Sequence, residues 1–131
     1  MLFEFELSTP AQGLLDITRE VNAAVKESGV NEGICVVFCP HTTAAITINE
    51  NADPDVKTDF VYGMDKAFPT LGAFQHSEGN SDAHLKSSSV GASETIIVNK
   101  GKLLLGTWQG VYFCEFDGPR RRKFYVKLMR S

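Results

Sequence analysis

Cysteine is scarce in this 131-residue chain: there are three, an odd number. Cys35 and Cys39 fall in one apolar run, GICVVFC, that reads as a strand. A strand holds positions four residues apart at about 13 Å, beyond disulfide reach. Cys114 lies in a second apolar run. Three buried thiols in a reducing compartment are therefore expected, not a disulfide framework. No apolar stretch approaches the roughly 20 residues that cross a membrane. The N-terminus, MLFEFEL, carries acid where a signal peptide carries base. A cytoplasmic protein without membrane contact is expected. Positive charge is also in short supply. The net charge is −3, and the one cationic run, Arg120 to Lys123, is too short to suggest a nucleic-acid partner. A Walker loop, a Rossmann glycine pattern and a nucleophile elbow are all missing, so nothing points to those classes of enzyme.

What is present is ordinary globular composition, 43% apolar and 22% charged. A chain of this length buries about two-thirds of its unfolded surface. It can close a core without disulfides or structural metal. Leu2 to Leu7 alternates as a half-buried strand does. Thr9, Pro10 and Gln12 then read as N-cap, first helical residue and capping box. Leu14, Ile17, Val21 and Ala24 continue at helical spacing, and Ser28-Gly29 ends the helix. Ile34–Phe38 and Ala44–Asn49 read as strands. Asp53-Pro54 opens a second helix that Pro69 stops. A polar stretch from Thr70 to Ser93 reads as a long loop. Strands follow at Glu94–Val98, Lys102–Leu105, Gln109–Phe116 and Arg121–Met129, the first two joined by the turn Asn99-Lys100-Gly101. The expected fold is α+β: one domain over residues 1–131, an antiparallel-rich sandwich-like core with helices packed outside.

Two segments concentrate the chemistry, and all three histidines lie in them. His41 leaves a buried strand after Pro40, and Thr42 and Thr43 beside it can orient an imidazole or hold phosphate oxygens. The long loop places His76, Glu78, Asn80, Asp82 and His84 at every second position. Fully extended, that row spans about 26 Å, too long for one metal shell. Turn pairs at Gly79-Asn80 and Ser81-Asp82 allow it to fold back. Two imidazoles with nearby carboxylates suit zinc or another divalent ion; the alternative is a solvated loop. In the last strand Arg120 and Arg122 share the face that becomes core. Inward arginines require an acid, such as Glu115 or Asp117, or an anion. Arg121 is expected to face solvent.

Three strings, HTTAAITINENADPDV from His41, HSEGNSDAHLKSSSVG from His76 and GTWQGVYFCEFDGPRRR from Gly106, together resemble the YjbQ-like proteins, named as secondary thiamine-phosphate synthases. The resemblance covers essentially the whole chain. It implies a small α+β domain that assembles as a homotrimer. It also implies a reaction joining hydroxymethylpyrimidine diphosphate to thiazole phosphate with release of pyrophosphate. Carried over by position, it makes His41, Glu78, Asp82 and His84 catalytic. The family's Gly-Thr-Trp-Gln and Asp-Gly-Pro-Arg motifs fall on Gly106 to Gln109 and Asp117 to Arg120, which makes Trp108, Gln109 and Arg120 binders of substrate or phosphate; Thr42, Thr43, Asn80 and Arg122 join them on the reading of the residues themselves. His41, His76 and His84 are the expected ligands of a divalent metal, zinc or magnesium. The same inventory suits a metal-assisted hydrolase of a phosphorylated or sugar substrate, or a trimer that binds a metabolite or metal without catalysis.

Overall fold

A computed structural model describes all residues, Met1 to Ser131. Eight strands and three helices follow in the order β1 (Leu2–Ser8), β2 (Gly13–Asp16), α1 (Thr18–Ser28), β3 (Gly33–Phe38), β4 (Ala44–Glu50), α2 (Pro54–Ala67), α3 (Ser81–Val90), β5 (Ser93–Asn99), β6 (Lys102–Leu103), β7 (Gln109–Glu115) and β8 (Arg121–Arg130). Five strands form one sheet in the order β1-β8-β3-β5-β6, and three form a second, β2-β7-β4. All described pairs are antiparallel. The α+β sandwich is as expected.

The core lies between the sheets. Cys35, Val37, Ile96, Val98, Phe124, Val126 and Leu128 face it from the larger sheet, and Ala44, Ile46, Val111 and Phe113 from the smaller. Val21, Ala24 and Val25 of α1, with Ile17 at its N-cap, close it. Burying a side chain of this kind contributes about 1.5–3 kcal/mol. The outer face of the smaller sheet is covered by α2 and α3, through Tyr112, Cys114, Ala83, Phe60 and Met64. No element covers the outer face of the larger sheet. There Ile34 pairs in register with both Ile97 and Met129, and Phe38 with Tyr125. Ile97, Met129 and Phe38 are exposed.

Two local expectations are corrected. The helix expected from Thr9 begins only at Thr18, and Gly13–Asp16 is a strand on β7. Thr9 caps nothing. Its hydroxyl donates to Glu115 (2.6 Å) and accepts the Arg120 N–H (3.1 Å), so distant partners outcompete the local cap. The expected loop 70–93 contains α3, so the every-second-residue row does not exist. α3 buries Lys86 and Ser87 rather than an apolar stripe. The Lys86 ammonium meets Asp65 of α2 at 2.5 Å, Asp82 at 3.3 Å and the Gln12 amide oxygen at 3.4 Å. The three cysteines are free and buried, as expected. Burial pushes their thiols up to about 11, 11 and 12 for Cys35, Cys39 and Cys114, which makes them inert at neutral pH. The turn between β5 and β6 also stands, with Lys100 and Gly101 both at positive φ as a two-residue hairpin requires.

Candidate functional site

The site is assembled at one end of the strands, from four places in the chain. The β1–β2 connection supplies Thr9, the β3–β4 connection His41 to Thr43, α3 and the chain before it His76 to His84, and the β7–β8 turn Asp117 to Arg122. That last turn is held tightly. The Gly118 N–H donates to the Ala11 carbonyl at 2.9 Å, and a Cβ at position 118 would collide with the Pro10 carbonyl oxygen. Only glycine permits so close an approach.

Arg122 and Glu115 form the floor. Glu115 is fully buried and Arg122 is 5% exposed. The guanidinium donates Nε to one carboxylate oxygen at 2.7 Å and Nη2 to the other at 2.6 Å, and Nη2 also reaches the Thr43 hydroxyl at 2.8 Å. The Glu115 carboxylate additionally accepts the Thr9 hydroxyl and the Asp117 backbone N–H. Burial alone would raise its pKa. The hydrogen bonds from Arg122, Thr9 and the Asp117 N–H outweigh that, and the carboxyl lies below its ordinary value.

Above the floor is a cleft of about 370 Å³ lined by Pro40, His41, Thr42, Thr43, His76, Glu78, Asn80, His84, Asp117, Arg120 and Arg122. Apart from Pro40 its walls are polar. Arg120, half exposed, donates Nε to the Asp117 carbonyl at 2.7 Å and Nη2 to the Asp117 carboxylate at 3.1 Å. That carboxylate also accepts the Asn80 amide at 2.7 Å. This bond fixes the amide's orientation and leaves Asn80 Oδ1 buried without a partner. Asn80, at the N-cap of α3, and His84, one turn further on, face the cleft together, and a hydrogen bond from the Ser87 hydroxyl to the Thr42 carbonyl ties the helix to the opposite wall. The His76 and His84 rings meet edge to face with centroids 5.4 Å apart. His41 stands across from them, its ring edge-on to Phe113 and its Nε2 accepting the Lys123 N–H at 3.0 Å.

The sequence-based site residues thus divide. His41, Thr42, Thr43, His76, Glu78, Asn80, His84, Arg120 and Arg122 come together. Asp82 does not join them, because it is turned to Lys86 on the other side of α3. Trp108 and Gln109 stand at the far end of β7, about 20 Å of strand away from Glu115. Gln109 is occupied with the Gly106 N–H, and Trp108 is 63% exposed. Arg120 precedes β8, so strand alternation does not turn it inward, and it lies at the cleft mouth. The expected three-histidine metal set does not fit. The Lys123 N–H occupies His41 Nε2, and no three His, Cys, Asp or Glu side chains converge as a ready-made shell. Asp117, expected as an acid partner for an arginine and as part of the Asp-Gly-Pro-Arg motif, is the central acceptor of the cleft.

The fold and the cleft define a class: a small, single-domain α+β sandwich with a histidine- and arginine-lined polar cleft at one end of its strands. The chain belongs to the UPF0047 protein YjbQ-like family, whose match extends over residues 3–131. It is 56% identical over 130 residues to a UPF0047 protein of Methanocaldococcus jannaschii, covering 98% of this chain and 94% of that one. It is 55% identical over 123 residues to the UPF0047 protein YugU of Bacillus subtilis, covering 93% of each. A crystal structure of a YjbQ/UPF0047 family protein from Clostridium acetobutylicum superposes with a TM-score of 0.95 at 58% identity, over 97% of this chain and 99% of that one. A YbjQ-like protein of unknown function from Sulfolobus solfataricus gives 0.95 at 32% identity, over 100% and 97%.

Proposed function

We propose that the cleft binds a small phosphorylated metabolite and that the protein acts on it as a transferase. The reaction would join hydroxymethylpyrimidine diphosphate to thiazole phosphate with release of pyrophosphate. One observation carries the phosphate reading: Arg120 stands half exposed at the mouth of a polar cleft, with guanidinium N–H groups to spare after its bonds to Asp117. Arginine suits bidentate binding of phosphate oxygens. Donors aimed at the bridging oxygen would stabilise the charge that builds there as pyrophosphate leaves. Arg122 has its charge committed to Glu115 and acts by holding Thr43 and the floor in place. Glu78, His76 and His84 are the groups able to exchange a proton at the mouth. The transfer itself rests on the family resemblance rather than on the cleft.

A second reading is hydrolysis, or binding without turnover, of a smaller and more polar phosphate. The wall composition favours it, since one chain offers two aromatic heterocycles only imidazole and guanidinium planes to stack on, with no Phe, Tyr or Trp in the lining. Incubation with both thiamine precursors decides between them. Pyrophosphate released only when both are present supports the transferase. Inorganic phosphate from either one alone supports hydrolysis. Tight binding without product supports a binder.

We also propose a homotrimer. The uncovered face of the larger sheet supports it, with Ile34, Ile97 and Met129 in one row and Phe38 and Tyr125 in another, an apolar surface suited to further copies of this chain. Light scattering at micromolar concentration should give three times the 14.4 kDa chain mass. A monomer mass would refute the assembly.

A further inference from the structure

His41 holds one bond that restricts what its ring can do. The Lys123 backbone N–H points at Nε2 from 3.0 Å, and a backbone amide can only donate. Nε2 must therefore present its lone pair. A neutral imidazole carries one lone-pair nitrogen and one N–H, so the proton sits on Nδ1. Nδ1 has no hydrogen-bond partner within the chain, and the ring borders the cleft. Moving the proton to Nε2, or adding a second one, would set two N–H groups head to head. Partial burial of the ring and the neighbouring Arg122 charge act in the same direction, holding the His41 pKa below its ordinary value.

We propose that His41 serves the cleft as a fixed Nδ1–H donor to an anionic oxygen of the ligand, and as neither a metal ligand nor a general base. Ligation through Nδ1 needs a lone pair that this tautomer does not have. Ligation through Nε2 needs the lone pair that Lys123 already holds. Of the three histidines only His76 and His84 keep a ring nitrogen free for a metal or a proton, and those two are the ones in mutual contact. The cleft is thereby split. One side presents donors, His41 Nδ1–H and the Arg120 guanidinium, to an oxyanion. The other side, with His76, His84 and Glu78, is the side that can exchange protons. The inference rests on the phosphate reading of the cleft, and its ligand class is an oxyanion such as phosphate or pyrophosphate.

Two measurements test it. The first needs no ligand: long-range nitrogen–proton NMR of the intact protein at pH 7 should show His41 as the neutral Nδ1–H tautomer, and zinc chloride should leave that pattern in place. An Nε2–H tautomer, an imidazolium, or loss of the His41 pattern on adding zinc would overturn the proposal. The second is calorimetric titration with pyrophosphate. An asparagine amide places an N–H where the Nδ1–H stands, so His41→Asn should bind within about 2-fold of the parent. His41→Ala should bind about 10-fold or more weakly, the scale of one hydrogen bond to a charged group. Equal losses in both variants, or no loss in His41→Ala, would overturn the donor role. Failure of pyrophosphate to bind the unaltered protein would instead overturn the phosphate reading, and the tautomer result separates the two failures.

Discussion

Replacing Glu115 by glutamine should cost roughly 3–5 kcal/mol of folding stability, the scale of breaking a buried ion pair from one side. The cause is the guanidinium left behind. Arg122 is 5% exposed, and both of its donor contacts to a charge are to this one carboxylate. A glutamine keeps the shape and one acceptor oxygen but not the charge. Urea unfolding monitored by circular dichroism would give the number. The double variant Glu115→Gln with Arg122→Met should recover part of the loss, because an apolar replacement removes the orphaned charge. The pH dependence follows from the direction of the shift. The folded-state pKa of Glu115 lies below its ordinary 4.5, so its contribution is complete above that value. It fades as pH falls through the lower folded-state value. Stabilities of parent and Glu115→Gln should therefore converge in acid. A gap that persists undiminished there would assign the loss to packing instead of charge.

Arg120→Ala should weaken pyrophosphate binding by about 1.5–3 kcal/mol, the range for a charged hydrogen bond, or about 10- to 100-fold. Its neighbour is the internal control. Arg121 pairs with Glu6 at 3.0 Å where both side chains are well exposed, and such pairs are worth little. Arg121→Ala should leave binding unchanged and shift stability by no more than about 0.5 kcal/mol. Arg120→Ala should also fold, since its only ionic partner, Asp117, keeps the Asn80 amide as a donor. Calorimetric titration of the two variants side by side gives the comparison. Equal, negligible effects would make Arg120 an ordinary solvated charge. Loss of folding in Arg120→Ala with binding intact in the folded fraction would make it a structural ion pair.

Hydrophobic periodicity carried most of the fold. β1, β3, β4, β5, β7, β8 and α2 all lie where alternation or helical spacing puts them, because each has an apolar side to bury. The two failures have distinct physical causes. At Thr9-Pro10-Gln12 the local cap signal is genuine, but Glu115 and Arg120 engage the same hydroxyl from more than a hundred residues away. Leu14 and Ile17 are buried as their spacing suggested, although Leu14 is buried from a strand and not from a helix, in the cluster beneath α2 and α3. In α3 the buried side is Ala83, Lys86 and Ser87. Lys86 is compensated by acids and Ser87 by a backbone carbonyl, and no hydropathy pattern encodes that kind of burial. The site was legible as a set of residue types more than as a geometry. Histidines, threonines and arginines from separate segments do meet. The direction of Asp82, the distance of Trp108 and the orientation of the His41 ring are properties of the folded chain alone.

β8 has a consequence for how the protein comes into being. Arg122 opens the same inward row as Phe124, Val126 and Leu128, and that row is pinned on both sides, against β1 and β3. Because side chains alternate strictly along a strand, a slip of one residue would turn the whole row outward at once. It would put Arg121 and Lys123 against Glu115's side of the sheet and leave the core without three of its apolar members. Completing the sandwich and arming the cleft are therefore a single event during folding. A population that has acquired its cooperative core already has the Arg122–Glu115 floor in place.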